Sequence, residues 1–233
     1  MIDMISRYMN SYVFISQLIQ KEIYFSPLIY LDDPTEGQLK NFSFFDKVIF
    51  GGKNKNQSEK ERELIKNKII SEVHKYHVSC WTMDHIENYS LWSIYTDKLT
   101  GIMVTSTIEK FLTSVAYSDK ILHNHIHYIS NNMIFTNNSY TDINERIFSK
   151  TAYYSYENEY RFAIKNGTVF NKKNELEKYL TVPIDFSSLI INIILSPFMS
   201  AANKTYFRDT LNRLCPELAD RIIDSKIKLK KNI

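Results

Sequence analysis

Tyr153-Tyr154-Ser155-Tyr156-Glu157-Asn158-Glu159-Tyr160-Arg161-Phe162 is the stretch on which the reading of this chain turns. Side chains alternate across a strand, so a strand over 156–165 puts Glu157, Glu159 and Arg161 on one face. Tyr156, Tyr160 and Phe162 fall on the other, where aromatic rings pack on a core. The two carboxylates then stand about 7 Å apart along the strand, with a guanidinium beside them. Such a pair can hold a sugar hydroxyl and stabilise a developing cation. Spacing alone also describes a solvated face on which an arginine balances two acids. That arrangement is the commoner one, and exposed pairs of this kind contribute little stability.

Outward from this stretch, short strand-like runs alternate with helix-like runs, and no internal repeat is visible. Residues 5–9 read as a strand, and Ser11 as the cap of a helix with Val13, Phe14, Leu18 and Ile19 on one stripe. A strand over 23–26 is stopped by Pro27. A turn-rich loop, Leu31-Asp32-Asp33-Pro34-Thr35-Glu36-Gly37, and a polar connection over 51–57 follow. Ser58 and Glu61 form a capping box that opens a helix with Leu64, Ile65, Ile69, Val73 and Tyr76 on its apolar side. Further strands are expected over 78–82, 101–105, 121–129, 179–184 and 189–195, with an Asn-rich loop at 131–138. Helices are expected over 88–95, 142–150, 201–214 and 217–225. The sum predicts one α+β domain over 1–233, a mixed central sheet with peripheral helices, the C-terminal ones at about 201–233.

Composition narrows the function classes. Of 233 residues, 44% are hydrophobic and 24% charged, which excludes disorder throughout. No run of apolar residues is long enough for a membrane span, and Met1-Ile2-Asp3-Met4 lacks a signal-peptide start. Two cysteines, Cys80 and Cys215, cannot build a disulfide scaffold. These features predict a cytoplasmic protein with no membrane partner. The net charge of +3 is too weak to demand nucleic acid, and Lys226, Lys228, Lys230 and Lys231 read as a solvated helix end. Walker, GxGxxG and GxSxG signatures are missing, so P-loop, Rossmann and α/β-hydrolase readings lack their support.

Two other constellations carry chemistry. His123, His125 and His127 alternate, so one strand would show all three on one face, and two could ligate a metal of a nuclease or hydrolase. An exposed polar face opposite Ile126 and Tyr128 is the simpler reading. Trp92 and Tyr95 lie three apart on a helix face and could stack on a base or a nicotinamide ring, though such rings are more often core. Cys80 as a nucleophile needs a base that neither His77 nor His85 supplies specifically.

Six motifs also stand in a telling order: Arg7-Tyr8; the 31–37 loop; Ser79-Cys80-Trp81; Leu91-Trp92-Ser93-Ile94-Tyr95; Gly101-Ile102-Met103-Val104; and Glu157-Asn158-Glu159-Tyr160-Arg161. In this order, over most of the chain to about residue 200, the sequence resembles a large bacterial family of unknown function whose members often sit in defence gene clusters. It departs from that pattern with Asp32 for Asn, Thr35 for Phe and Leu91 for Met. The layout is also distantly similar to ADP-ribosyltransferases. That resemblance implies an ADP-ribosyltransferase-like fold with NAD as co-substrate and no metal. Glu159 would be the catalytic glutamate and Glu157 its accessory. Arg7 or Tyr8 would hold the dinucleotide, Ser26 would line the same cleft, and Tyr30 would stack on nicotinamide. In a defence setting such an enzyme would be a toxin held in check by a cognate antitoxin. Its acceptor would be RNA or DNA before protein. A non-enzymatic sensor or adaptor domain, with the acids structural, is the remaining alternative.

Overall fold

In the computed structural model the described residues are 3–31, 64, 67–68, 71–84, 86–129, 143–167 and 179–229. β1 (Met4–Asn10) leads through α1 (Ser11–Gln20) into β2 (Glu22–Pro27). β3 (Tyr76–Thr82), α2 (Tyr89–Tyr95), β4 (Gly101–Thr107) and α3 (Ile108–Ser114) follow, then two short strands, β5 (Leu122–His125) and β6 (His127–Ile129). α4 (Ile143–Ile147), β7 (Ser149–Thr151) and a 3-10 turn (Ala152–Glu157) precede β8 (Glu159–Lys165). β9 (Leu180–Pro183), α5 (Phe186–Leu189), β10 (Asn192–Leu195), α6 (Ala201–Leu214), a further 3-10 turn (Pro216–Arg221) and β11 (Ile222–Asp224) come last, and shorter 3-10 turns lie at Leu28–Tyr30 and Ser118–Lys120.

The architecture is α+β, a central and mostly antiparallel sheet with peripheral helices. Strands run β11-β10-β4-β1-β3-β2-β9, with β8 on β3 and β5 beyond β8. β6 and β7 form a separate parallel pair. The pairing around β3 shapes the site. β8 takes one edge of β3 along its length, from Tyr76 opposite Lys165 to Thr82 opposite Glu159. β1 and β2 share the other edge. β1 meets it at Ser6 opposite Thr82 and otherwise pairs with β4. β2 meets it at Ser26 opposite Val78 and Pro27 opposite His77, and otherwise pairs with β9. Both strands run antiparallel to β3, so both cannot follow it through Ser79, Cys80 and Trp81. Each holds one end and diverges, and the sheet splits into two leaves there.

The core lies on the α1 and α3 side of the sheet. Phe14, Phe25, Trp81, Phe111 and Phe162 are buried there, with Trp81 and Phe111 edge to face at 5.7 Å. Tyr160 and Phe162 join this core, as the alternation of β8 requires. α1 begins at Ser11 with Asn10 at the cap and no side-chain capping bond, so Ser11 is helical and not the cap. Its buried residues are Phe14, Gln17 and Leu18, while Ile19 faces solvent.

Five segments depart from the periodicity. The 121–129 run breaks at Ile126, whose N–H goes to Glu159 O while His127 N–H goes to Phe148 O, so its halves join different sheets. The 142–150 helix stops at Ile147, and Lys150 sits on β7. The 156–165 strand begins at Glu159, because Asn158 takes a left-handed conformation (φ 43°) and ends a 3-10 turn. In the 189–195 run, Asp185 caps α5 by accepting from Ser187 N–H, and the strand starts only at Asn192. The C-terminal segment after α6 forms a 3-10 turn and β11, not a helix over 217–225. The Asp32–Gly37 part of the first loop, the 51–57 connection, Ser58 and Glu61, Ile65 and Ile69, His85, the 131–138 loop, Lys230 and Lys231 lie outside the described residues. No described helix is long and apolar enough to cross a membrane.

Candidate active site

A cavity of about 270 Å³ opens at the split between the leaves. β1 supplies Ser6, Arg7 and Tyr8 to its wall, β2 supplies Ser26, and β3 supplies Val78, Cys80, Trp81 and Thr82. α2 adds Leu91, Ile94 and Tyr95, and β7 adds Lys150. Tyr154, Tyr156, Glu157 and Glu159 close the far side. Arg7, Tyr8, Ser26, Glu157 and Glu159 therefore meet in one place, though they lie up to about 150 residues apart in sequence. Tyr30 does not join them. It ends a 3-10 turn after β2, is 64% exposed, and is not on the cavity wall.

The two acids are buried, Glu157 to 6% exposure and Glu159 to 4%, so the solvated strand face is not what forms. They do not share a strand face either. The left-handed Asn158 between them redirects the chain, and the turn and the strand present their acids to the same hollow. Burying two carboxylates is expensive unless each is paired and hydrogen-bonded. Arg161 Nε and Nη2 donate to the two oxygens of Glu159 at 2.7 and 3.0 Å. This arginine is 0% exposed, and its Nη1 donates to Ile147 O at 2.7 Å. Lys150 Nζ lies 2.7 Å from Glu157 Oε2 and 3.7 Å from Glu159 Oε2. Tyr95 OH donates to Glu157 Oε1 at 2.5 Å. The Lys150 ammonium also sits 4.6 Å from the centre of the Tyr154 ring.

Burial pushes the Glu159 carboxyl up, but the Arg161 charge and its hydrogen bonds, with Lys150 and a Cys80 thiol bond, outweigh it. The net effect holds Glu159 below the usual carboxylate range. Burial, then the bond to Glu157, raises the Tyr95 phenol, which stays a donor. Tyr8 is pushed up to about 12, chiefly by burial. Its hydroxyl accepts from Asn88 N–H at 2.8 Å and its ring meets Trp92 edge to face, so Tyr8 anchors α2 to β1 as well as facing the cavity.

Arg7 completes the charge balance. It is half-buried, and its hydrogen bond among the described residues goes from Nη1 to Ser79 Oγ at 3.0 Å, the same oxygen that Trp81 Nε1 reaches at 3.1 Å. Burial lowers its guanidinium from the ordinary value, but arginine remains charged at neutral pH. Two carboxylates against Lys150, Arg161 and Arg7 leave one positive charge. Arg161 and Lys150 are committed to the acids, and Arg7 faces the cavity without a carboxylate partner among the described residues. The arrangement suits a ligand with hydroxyls at one end and an anionic group at the other.

Lys150, Arg161 as a buried clamp, and Tyr95 as a carboxylate partner are what sequence reasoning missed. Tyr95 was visible within the Trp-x-x-Tyr motif, but Lys150 carried no signal. His123 and His125 both meet Tyr160, the first with Nδ1 2.7 Å from Tyr160 OH and the second edge-on to the ring, and His127 lies on the separate β6–β7 pair. The described residues hold no cluster of three His, Cys, Asp or Glu side chains able to bind a metal. No protein-family profile, curated protein or solved structure matches the chain.

Proposed function

We propose that the cavity binds NAD and that the protein transfers ADP-ribose from it to a macromolecular acceptor, RNA or DNA before protein. The observation that carries this reading is the meeting of two buried, charge-balanced acids and an uncommitted arginine in one hollow at the split of the sheet. A late acid pair facing an early arginine across such a split agrees with the ADP-ribosyltransferase layout. At about 270 Å³ the hollow falls just below the roughly 300–1,000 Å³ of drug-sized pockets, so it takes the nicotinamide riboside portion, not the whole dinucleotide. The ribose hydroxyls meet the acids, and Arg7 meets the pyrophosphate through charge-assisted bonds. The C1′–N bond breaks with its electron pair on the nicotinamide nitrogen, which leaves as neutral nicotinamide. The positive charge left on the ribosyl group faces two fixed carboxylates in a site where charges interact strongly.

Exposed Tyr153 and Tyr156 on the turn that carries Glu157 give bases a surface to stack on, which favours a nucleic-acid acceptor. A toxin of this kind requires a cognate antitoxin and belongs in a defence system, as the sequence resemblance implies. Labelled NAD incubated with the protein and a cell lysate tests the reading. Wild type transfers label and Glu159→Gln and Glu157→Gln transfer far less; equal transfer by all three rejects it.

One observation favours a second reading. Both acids already have cationic partners, as a purely structural network would. A non-enzymatic sensor or adaptor domain is then the alternative. It is supported if a Glu157→Gln variant with native stability keeps the full cellular phenotype.

A further inference from the structure

Building on the NAD reading, we propose that Glu157, and not Glu159, is the catalytic carboxylate, with Lys150 and Tyr95 as the positioning residues that aim it. This reverses the roles implied by the sequence resemblance. A carboxylate offers about four acceptor directions. Glu159 spends three of them on Arg161 Nε, Arg161 Nη2 and the Cys80 thiol, and the Lys150 ammonium stands 3.7 Å from Oε2. Its clamp cannot open locally, because Arg161 is fully buried and tied to Ile147 O. Held below the usual carboxylate range, Glu159 is also a poor acceptor of protons.

Glu157 is held differently. Among the described residues it receives one bond on each oxygen, from Tyr95 and from Lys150, and each oxygen keeps a direction open. Both partners line the same cavity as Glu157, so they can hold the carboxylate while a ligand hydroxyl takes an open direction. In the reaction the nucleophile of the acceptor, an O–H or N–H group, forms its bond to C1′. The C1′–N bond breaks with its electron pair on nicotinamide. The proton of the nucleophile passes to a Glu157 oxygen and is later released to water.

The test combines turnover with a readout that needs no turnover. Nicotinamide release per folded molecule, with folding checked by circular dichroism, is compared across variants. Glu157→Gln is expected to lose about 10²–10⁴-fold in kcat, the worth of a positioned base, with KM moved little. Glu159→Gln is expected to lower the amount of folded protein far more than kcat per folded molecule. Lys150→Met should lower kcat, and Lys150→Arg should restore part of it, which a loss of packing alone would not. Independently, carbodiimide with glycine ethyl ester labels accessible, reactive carboxyls, and fragment mass spectra distinguish the two acids. Glu157 labels first if the assignment holds. Glu159 labelling first or equally fast, or a folded Glu157→Gln that turns over within tenfold of wild type, overturns it. Failure of the wild type to release nicotinamide rejects the NAD reading instead, and the order of labelling then decides by itself which acid is the reactive one.

Discussion

Replacing Arg161 by Met removes the guanidinium and keeps most of the volume of a fully buried side chain. Three donated bonds disappear, two to Glu159 and one to Ile147 O. The Lys150 ammonium at 3.7 Å and the Cys80 thiol remain, so the buried carboxylate keeps only its weaker partners. Removing one partner of a buried ion pair costs about 3–5 kcal/mol. Whole domains have only about 5–15 kcal/mol in hand, so this is a large share. For a chain of this size it corresponds to a drop in Tm of roughly 6–20 °C. The sign with pH is fixed by Glu159. In wild type its folded value is depressed, so its contribution is complete above the unfolded value of about 4.3 and is lost as pH falls through the folded one. In the variant, burial without Arg161 raises the folded value instead, so the variant gains on its own pH 7 stability as pH falls and the carboxyl takes a proton. Urea unfolding of both proteins between pH 7 and pH 4.5 measures this. A gap that is wide at pH 7 and narrower at pH 4.5 is expected, and the pair Glu159→Leu with Arg161→Met should recover most of it, because apolar replacement of a buried pair is often neutral. A single variant within about 1 kcal/mol of wild type at pH 7 would refute the ion-pair account.

Arg7→Ala should leave folding intact and weaken NAD binding by about 1.5–3 kcal/mol, roughly 10–150-fold in Kd, by calorimetry; an unchanged Kd removes Arg7 from the site. Gly101→Ala would bring a Cβ to 2.6 Å from Thr96 Oγ1 and 2.8 Å from Thr96 Cβ, at the junction of α2 and β4. Overpacking of this kind costs about 1–3 kcal/mol by chemical denaturation, and adding Thr96→Ser should relieve little, because Oγ1 and Cβ remain. Glu87 accepts from Trp92 Nε1, Ser225 Oγ and Lys226 N–H. Glu87→Ala should therefore release the chain after β11, read as faster amide exchange at 225–227 with the β8 amides unchanged.

The parts of the fold legible in sequence are those whose cause is local. β1, β3 and β4 lie where short strand-like runs stand in the sequence, α2 has Asn88 accepting from Ser90 and Leu91 N–H at its start, and α6 has Ser200 at its cap. What sequence could not show depends on partners far away. The 121–129 run alternates throughout, yet Glu159 O and Phe148 O draw its two halves to different sheets. The split over Ser79–Trp81 arises because two strands compete for one edge of β3, and neither strand alone carries that information. At the site, the residue types of the acid pair were readable but their geometry was not. Asn158, a residue that tolerates the left-handed region, was the one local hint that the strand begins only at Glu159. Lys150 was hidden by a helical pattern that ends three residues before it. The resemblance implied that Tyr30 stacks on nicotinamide, but the turn that follows Pro27 carries Tyr30 to the surface.

A crystal structure of the protein with a slowly hydrolysed NAD analogue tests whether the acids and Arg7 hold one dinucleotide. A ribose hydroxyl within hydrogen-bond distance of Glu157 and a phosphate oxygen against Arg7 are expected, with the Arg161–Glu159 clamp unmoved. An empty split between the leaves at saturating analogue, or a dinucleotide bound on another face, would contradict that placement.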